Sequence, residues 1–126
     1  MAYLNKAFLI GNVGKAPDTR PLQGGAKVSQ FTLATTERFT DRGGESHENT
    51  EWHTVVVWNK SAEFVERFVK KGAQVFVEGK IRTREWSDQQ GNKRYSTEIV
   101  ADKIQLLDKK EEGAKPRQFD DDDFPL

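Results

Sequence analysis

Within residues 74–86, three positively charged side chains, at positions 80, 82 and 84, alternate with Ile81 and Thr83. Because successive side chains of a β-strand point to opposite faces, a strand here would gather the charged residues and one indole on a single face. That face would carry Phe76, Glu78, Lys80, Arg82, Arg84 and Trp86. The opposite face would carry Val75, Val77, Gly79, Ile81 and Thr83, which we expect to enter the hydrophobic core. Cations beside a flat ring suit an unpaired nucleic-acid strand, because cations contact phosphates and every base can stack on a ring.

Aromatic rings recur in a second predicted strand, residues 51–58. One face of that strand carries Trp52, Thr54, Val56 and Trp58. A small barrel has little internal room for so many large rings, so we interpret Trp52, Trp58 and Trp86 as outward stacking platforms, with Phe39 as a fourth candidate ring. Burial in the core is the alternative for each ring. Stacking of a base on such a ring contributes about 1–3 kcal/mol.

A set of basic residues provides candidate contacts for phosphates. The stronger candidates share a strand or a turn with the aromatic rings, and the weaker ones lie on other segments. The set is Lys6, Lys15, Arg38, Lys60, Lys80, Arg82, Arg84, Lys93 and Arg94. The alternative for a row of lysines and arginines is a solvated surface without a ligand.

The net charge of zero hides an uneven distribution. Residues 1–108 carry 16 basic and 14 acidic side chains, a difference of +2, and residues 109–118 carry four and two, again +2. Residues 119–126 carry four Asp and no base. Exposed charges are screened beyond about 10 Å at ordinary salt, so local clusters and not the total determine whether the chain attracts an anion.

The residues that catalysis or metal binding would need are absent or scattered. No cysteine is present, which excludes a disulfide framework, a thiolate zinc site and a cysteine nucleophile. His47 and His53 are the two histidines, and neither belongs to a set of ligands at metal-binding spacing. No serine has the partners of a catalytic triad, and Gly11-Asn12-Val13-Gly14 matches no phosphate-binding glycine motif. We expect no metal, no cofactor and no enzymatic activity.

Signals for membrane insertion and export are missing from the sequence. No apolar run approaches the roughly 20 residues of a membrane-spanning helix, and the first residues show no secretory leader. A cytoplasmic protein is therefore expected.

The apolar pattern predicts five strands and one helix. The strands are residues 5–13, 27–37, 51–58, 74–86 and 94–107, and the helix is residues 61–71, with Ser61 or Asn59 as its N-cap. The first strand has apolar residues at both parities, including Phe8 and Ile10, and is expected to be partly buried on both sides. Residues 38–50, which are polar and contain Gly43-Gly44, are expected to form a flexible loop.

This order of elements, β-β-β-α-β-β, is that of the OB-fold. We expect an all-β protein, a five-stranded Greek-key barrel with one helix between strands 3 and 4, followed by a disordered C-terminal tail. A generic α+β sheet is the alternative for the same order. The barrel domain would span residues 1–108, a short flexible linker residues 109–118, and an acidic tail residues 119–126.

The end of the chain combines acidic and apolar residues. Residues 109–118 contain no large apolar side chain, which is typical of an unfolded segment. The tail continues from Phe119 with Asp120, Asp121, Asp122, Asp123, Phe124, Pro125 and Leu126. Apolar anchors and a terminal carboxylate on a flexible tether suit a basic-rimmed pocket of a partner protein. The same tail is expected to compete with nucleic acid for the basic surface.

Several stretches resemble the bacterial single-stranded DNA-binding proteins. They are NKAFLIGNVG at 5–14, TLATT at 32–36, TEWHTVVV at 50–57, GAQVFVEGKIRTRE at 72–85 with Trp86, and the acidic end of the chain. The resemblance implies an OB-fold that forms a homotetramer and binds single strands without sequence preference, in replication, recombination and repair. It implies stacking by Phe39, Trp52 and Trp86, with Trp58 where the family commonly has Phe, and a subunit interface at His53. The tail would dock replication, recombination and repair enzymes.

Three features depart from the pattern of that family. The chain ends in Pro125-Leu126 where the family usually ends in Pro-Phe, the linker is short, and Phe39 stands where Trp is common. We therefore expect weaker docking of partners, a shorter reach and a smaller stacking area. An RNA-binding OB module, a small nuclease and a purely structural assembly protein are the alternative functions.

Overall fold

The described part of the chain, residues 1–107 of a computed structural model, consists of β-strands and one α-helix. The elements are β1 (Ala7–Val13), β2 (Asp18–Pro21), β3 (Lys27–Thr40), β4 (Ser46–Trp58), α1 (Asn59–Phe68), β5 (Gln74–Ser87) and β6 (Lys93–Leu106). A 3-10 turn, Gln23–Gly25, joins β2 to β3. Apart from the short strand β2, this is the order that the sequence predicts.

A single sheet curls until its two ends meet. Neighbouring strands run in the order β1-β5-β6-β4-β3-β2, and β1 also pairs with β3. Residues 7–12 of β1 pair with β5, and residues 12–13 pair with β3. β4 and β6 pair in parallel. Five strands thus close a barrel, while β2 lies as a short arm along β3. The predicted OB-fold, with its helix between the third and fourth barrel strands, is confirmed.

Branched side chains on the inward face of the barrel form the core. The completely buried members include Leu33, Val55, Val57, Ala62, Val65, Val75 and Val77. The strand members alternate with outward residues, because successive side chains of a strand point to opposite faces. At Gly11, any side chain would overlap the backbone of Ala34, so glycine lets β1 pass close to β3 and close the barrel.

The expectation of a flexible loop at residues 38–50 is wrong, because β3 and β4 continue beyond the barrel as a two-stranded arm. Their register is unbroken from Val28 opposite Trp58 to Thr40 opposite Ser46. Residues 36–51 are exposed, so neither face of the arm needs apolar side chains. The sequence of the arm therefore lacks the alternation by which strands are recognised.

Ile81 and Thr83 do not enter the core, contrary to the alternation expected for residues 74–86. Val75, Val77 and Gly79 are buried as predicted, but the pairing of β1 with β5 stops at Gly79. Beyond this point β5 pairs with β6 alone, and Ile81 is 48% exposed. The alternation of residue types therefore continues along β5 beyond Gly79, where burial of the core-side positions ends.

The helix α1 begins at Asn59 rather than Ser61 and lacks the predicted side-chain cap. Asn59 has a left-handed φ of 53°, and its Oδ1 accepts a hydrogen bond from the backbone N–H of Lys27 at 3.3 Å. Asn59 therefore fastens the start of the helix to β3 instead of capping the helix. The helix ends at Phe68, whose ring is 52% exposed.

Candidate nucleic-acid interface

The register of the strands joins β3, β4, β5 and β6 into one continuous outward surface. Thr54 on β4 lies beside Glu98 on β6, which lies opposite Arg82 on β5. Paired residues point to the same side of a sheet. The even-numbered residues of β3 and β4 therefore share a side with the even-numbered residues of the β5–β6 hairpin from 80 to 100. We call this side the outer face.

Three tryptophans lie on the outer face and are open to solvent. Trp52 is 62% exposed, Trp58 is 40% exposed and Trp86 is 43% exposed. The alternative that these rings fill the core is wrong, since the inward positions of β4 are taken by Val55 and Val57. Separate π-faces are thus available to a ligand that lies across the barrel.

Five of the basic candidates share the outer face with the tryptophans. They are Arg38, Lys80, Arg82, Arg84 and Arg94. Arg38 lies 3.8 Å from a carboxylate oxygen of Glu48, and Arg94 lies 3.1 Å from one of Asp88. The pair of Arg38 joins two exposed side chains and is therefore weak. The side chain of Arg94 is 59% exposed although Asp88 is only 19% exposed, so both arginines present donors to solvent.

The remaining basic candidates lie off the outer face. Lys93 is on the reverse side of the β5–β6 hairpin, 3.5 Å from Glu85. Lys6 precedes β1 and forms a pair with a partly buried glutamate of β5 at 3.2 Å, and Lys60 is on α1. Lys15 borders the outer face, because the residue before it lies against Trp52. The structure does not gather Lys6, Lys60 and Lys93 with the other five.

Trp52 lies against Gly14, the residue that follows β1. A side chain at position 14 would overlap atoms Cζ3 and Cη2 of the indole and would crowd the hydroxyl of Thr32. The N–H of Gly14 donates to the carbonyl of Thr32 at 2.9 Å, which fixes the glycine in place. One flank of the ring is therefore packed, while most of the ring is exposed.

Glu98 is a charged residue buried in the outer face that the sequence reasoning missed. It is 1% exposed. Its Oε1 accepts a hydrogen bond from Nη2 of Arg82 at 3.1 Å, and its Oε2 accepts two from Nε and Nη2 of Arg84, both at 3.3 Å. A buried charge needs partners of this kind. The available signal was a lone acid directly before the apolar run at 99–101.

An open depression of about 400 Å³ lies on the outer face, lined by Trp58, the two arginines and Glu98. Residues of β2 and β3 complete the lining, among them Asp18, which pairs with Arg20 at 3.2 Å. The depression therefore contains one aromatic ring and three arginines, together with two carboxylates that are each paired with arginine.

Phe39 does not lie on the outer face. Its cross-strand partner is His47, and the odd-numbered residues of β3 point away from the side that carries Trp52. The Phe39 ring is 48% exposed and stacks on the imidazole of His47, with centroids 5.2 Å apart. A nucleic-acid strand whose bases stack on both Phe39 and Trp52 must pass around the two-stranded arm of β3 and β4.

His53 lies half-buried next to β3. Its Nε2 is 2.9 Å from the hydroxyl oxygen of Thr35. The contact holds the imidazole within its own chain, and the role of His53 at a subunit interface stays a prediction.

An exposed apolar patch lies on β1 and β5. Phe8 is 62% exposed and Ile10 is 56% exposed, and the Phe8 ring lies 6.4 Å from that of Phe76. The expectation that β1 is partly buried on both sides is wrong for the single chain, because only the side of Leu9 and Val13 faces the core. Large exposed apolar side chains on adjacent strands are typical of a contact surface.

Two aspartates close the turns of the long hairpins, and hydrogen bonds lower the pKa of each. The backbone N–H of Asn92 donates to Asp88 at 2.9 Å and lowers the pKa of that carboxyl. The imidazole of His47 at 2.7 Å and the N–H of Glu45 lower the pKa of Asp41.

Within residues 1–107, Asp41, Glu45 and His47 form the one group with ligand atoms close enough for a metal. The oxygens of Asp41 are already engaged in hydrogen bonds that close the turn.

Part of the sequence prediction lies outside the described residues. This applies to the linker at 109–118 and to the docking residues Asp120, Asp121, Asp122, Asp123, Phe124, Pro125 and Leu126. Within residues 1–107, the helix content is too short and too polar for a segment that crosses a membrane.

Comparison with known sequences identifies relatives along most of the chain. The model of the Single-strand binding protein family matches residues 4–107. "Single-stranded DNA-binding protein 1" of Xylella fastidiosa (strain 9a5c) is 48% identical over 116 residues, which cover 91% of this chain and 85% of that protein. The protein of the same name from Chlorobaculum tepidum is 46% identical over 111 residues, which cover 87% of this chain and 68% of that protein.

Solved structures agree with the sequence comparison. A Plasmodium falciparum SSB in complex with ssDNA has a TM-score of 0.79 at 36% identity, covering 86% of this chain and 98% of the other. A deletion mutant of the single-stranded DNA binding protein from Thermus aquaticus has a TM-score of 0.73 at 33% identity, covering 84% and 51%. Proteins of this kind bind a ligand and are not enzymes. From residue 4 to residue 107, in sequence and in fold, the chain belongs to the Single-strand binding protein family.

Proposed function

We propose that this protein binds single-stranded DNA across the outer face, without preference for sequence. The observation that carries the proposal is the placement of three exposed indoles on one side of the barrel, next to Arg82 and Arg84. Family membership and the complex of the P. falciparum relative with ssDNA support the same ligand. Since every base has a π-face, stacking tolerates any sequence.

Two kinds of contact hold the strand in this mechanism. The indoles of Trp52, Trp58 and Trp86 stack on bases, and the outer-face cations attract phosphates. The bases of a duplex are already paired and stacked, so a duplex offers only its phosphates and binds more weakly. Coating an exposed strand in this way protects it during replication, recombination and repair.

The protein acts as a homotetramer in this proposal. The exposed side chains of Phe8 and Ile10, beside the half-buried Phe76, support self-association, since closed symmetric assemblies bury such patches between identical copies. The number of four copies comes from the family resemblance, as does the contact of His53 with a neighbouring subunit.

The chain divides its work among three segments in this proposal. Residues 1–108 bind the strand and assemble, residues 109–118 link, and residues 119–126 dock enzymes of replication, recombination and repair. Acidic residues with Phe124 and Leu126 as apolar anchors complement a basic-rimmed pocket. Leu126 offers less apolar surface than the usual terminal Phe, which weakens docking. In this proposal the protein works in the cytoplasm, on the nucleoid, where replication, recombination and repair expose single strands.

A titration of tryptophan fluorescence tests the proposed function. We expect strong quenching by poly-dT and little quenching by duplex DNA. The logarithm of the binding constant should fall with the logarithm of the salt concentration, with a slope of about −0.7 for each phosphate contact. Tighter binding of a matched ribo-oligomer would make the protein an RNA-binding OB module. If the protein binds neither the DNA nor the RNA oligomer, a purely structural assembly protein is the remaining alternative. Cleavage of the oligomer in Mg²⁺ would indicate a nuclease.

A further inference from the structure

We propose that Glu98 is a positioning residue, which holds Arg82 and Arg84 in the orientation that a backbone phosphate of the bound strand requires. Trp58 lines the same depression as the two arginines, so a nucleotide whose base stacks on the indole can present its phosphate to the oriented guanidiniums. The inference rests on the proposed binding of single-stranded DNA.

The hydrogen bonds anchor one edge of each guanidinium and leave another edge available. Oε1 of Glu98 accepts from Nη2 of Arg82, and Oε2 accepts from Nε and Nη2 of Arg84. These bonds leave Nη1 of both arginines for a further acceptor. The arginine side chains are 40% and 50% exposed, whereas the carboxylate between them is 1% exposed. The carboxylate is thus buried, while both arginine side chains stay partly exposed, so a phosphate can approach them.

Arg82 is held in an orientation that does not satisfy its own hydrogen-bonding groups. Its Nε is buried and has no hydrogen-bond partner within residues 1–107. A buried donor without a partner is unfavourable, and the hydrogen bond from Nη2 to Glu98 at 3.1 Å is the contact that offsets this within residues 1–107. The contact with Glu98 therefore sets the orientation of the side chain.

Charge alone does not account for a glutamate at this place. Arg82 and Arg84 supply two positive charges, and Glu98 reduces the local sum to +1. With a neutral side chain at position 98, the cluster would keep its charge of +2 and would attract a phosphate more strongly. Glu98 favours binding only if the orientation that it imposes outweighs the charge that it removes. A guanidinium already fixed in place loses little side-chain freedom when the ligand arrives.

The depression beside the cluster matches a ligand with one flat apolar part and one anionic part. Its volume is about 400 Å³, and Trp58 lines it together with Arg82 and Arg84. The other carboxylate of the lining, Asp18, is paired with Arg20 at 3.2 Å. A nucleotide within a single strand has these two parts, joined by a sugar.

The variant Glu98→Gln gives opposite results for the two explanations. It keeps the shape of the side chain and raises the local charge by one unit. If Glu98 positions the arginines, E98Q binds poly-dT about tenfold more weakly, because two side chains must be ordered on binding. If only charge matters, E98Q binds as tightly as the wild type or more tightly, which would overturn the inference.

Glu85→Gln is the matched control. It raises the net charge of the same hairpin by the same amount, but Glu85 lies on the reverse side, where it pairs with Lys93 at 3.5 Å. We expect E85Q to bind poly-dT as tightly as the wild type. Equal weakening in E85Q and E98Q would contradict a role specific to the arginines.

Two further variants separate positioning from a general structural role. Glu98→Asp keeps the charge and draws it back by one methylene, so it weakens binding if position matters and leaves binding unchanged if charge alone counts. E98D also replaces E98Q if the latter fails to fold by circular dichroism. In a chain that already carries Arg82→Ala and Arg84→Ala, the Glu98 variants should cause no further loss, and an undiminished loss there overturns the inference. Wild-type quenching by poly-dT is measured alongside, because its absence refutes the proposed function itself.

Discussion

Asp41 and Asp88 occupy equivalent positions in the turns of two different hairpins. In both turns, Oδ1 of the aspartate accepts hydrogen bonds from the backbone N–H groups two and four residues later, each at 2.9 Å. Three residues after the aspartates, Gly44 and Gly91 adopt left-handed φ values of 84° and 81°. The turns of the β3–β4 and β5–β6 hairpins are therefore closed by the same pattern of hydrogen bonds.

The same spacing connects each turn to a candidate stacking ring. Oδ2 of the aspartate contacts a side chain six residues later, which is His47 at 2.7 Å in one turn and Arg94 at 3.1 Å in the other. His47 is the cross-strand partner of Phe39, and Arg94 is that of Trp86. Each ring thus stands beside a side chain that its own turn holds in place.

We expect both turns to loosen in acid. Hydrogen bonds lower the pKa of Asp41 and Asp88 below the ordinary value of 3.8 in the folded protein. Each carboxylate therefore contributes stability that is fully present above about pH 4 and is lost as the pH falls through its folded pKa. Amide chemical shifts of the two turns, followed from about pH 6 to about pH 2, should show midpoints below 3.8. In Asp88→Asn the transition of that turn should vanish while that of the Asp41 turn persists, and midpoints above 3.8 would contradict the expectation.

The face on which the rings lie could be predicted because period two is unbroken along β4 and the outer half of β5. Trp52, Trp58 and Trp86 fall at outward positions whichever residues surround them. The end of burial could not be predicted, since Ile81 has the residue type and the parity of a core position. Ile81 is exposed because the pairing of β5 with β1 ends at Gly79, and this end depends on the tertiary structure rather than on the local sequence.

The side of Phe39 and the contacts of Glu98 depend on the registers of the β3–β4 and β5–β6 hairpins. Once residues 38–50 are known to be paired, parity alone puts Phe39 opposite to Trp52. Glu98 meets Arg82 and Arg84 only because β5 and β6 pair in one particular register. The register of a hairpin is set by its turn, and the alternation of residue types within the two strands does not locate that turn to the residue.

Removal of any one outer-face indole should weaken binding by a similar amount. Trp52→Ala, Trp58→Ala and Trp86→Ala should each reduce the free energy of binding poly-dT by about 1–3 kcal/mol, the contribution of one stacked base. Fluorescence anisotropy of a labelled oligomer gives the affinities. Tyr95→Ala is the control, because that ring is 68% exposed but lies on the reverse side of the hairpin. A comparable loss in Tyr95→Ala would show that the effect does not depend on the outer face.

Phe39→Ala extends the same series to the hairpin arm. Because Phe39 points away from the outer face, it contributes to binding only if the strand passes around the arm. A long oligomer should then lose affinity in this variant while a short one, bound on the outer face alone, does not. If neither length is affected, the prediction that Phe39 stacks on a base is wrong.

Gly14→Ala should displace the Trp52 ring without removing it. The new methyl group would overlap the indole, so the ring must turn away from its packed position. We expect a shifted emission spectrum of the free protein and a loss of about 1 kcal/mol in binding poly-dT, at the lower end of the value of one stacked base. Gly43→Ala is the control, since a methyl group there meets only an oxygen of Asp41 at 3.4 Å. An unchanged spectrum in Gly14→Ala would mean that the ring position does not depend on the glycine.

Arg84→Ala and Lys93→Ala should differ, although both remove one positive charge from the β5–β6 hairpin. Arg84 is on the outer face and Lys93 is on the reverse side. The slope of log affinity against log salt should lose about 0.7 in Arg84→Ala, as expected for one phosphate contact, and should hardly change in Lys93→Ala. Identical slopes would mean that the strand does not distinguish the two sides.

Ile10→Glu should dissociate the proposed assembly. Ile10 is 56% exposed beside Phe8 in the single chain, and a contact over this patch would bury the new carboxylate without a partner. An unpaired buried charge destabilises an interface by about 3 kcal/mol or more, so multi-angle light scattering should show a fall in mass to that of a smaller assembly or a monomer. Ile81→Glu, on a hairpin position that is 48% exposed, should keep the wild-type mass. If Ile10→Glu also keeps that mass while circular dichroism shows a folded chain, the patch on β1 is not the surface through which copies associate. The converse result, loss of mass with poly-dT affinity retained for a short oligomer, would show that the outer face binds a strand without help from a neighbouring copy.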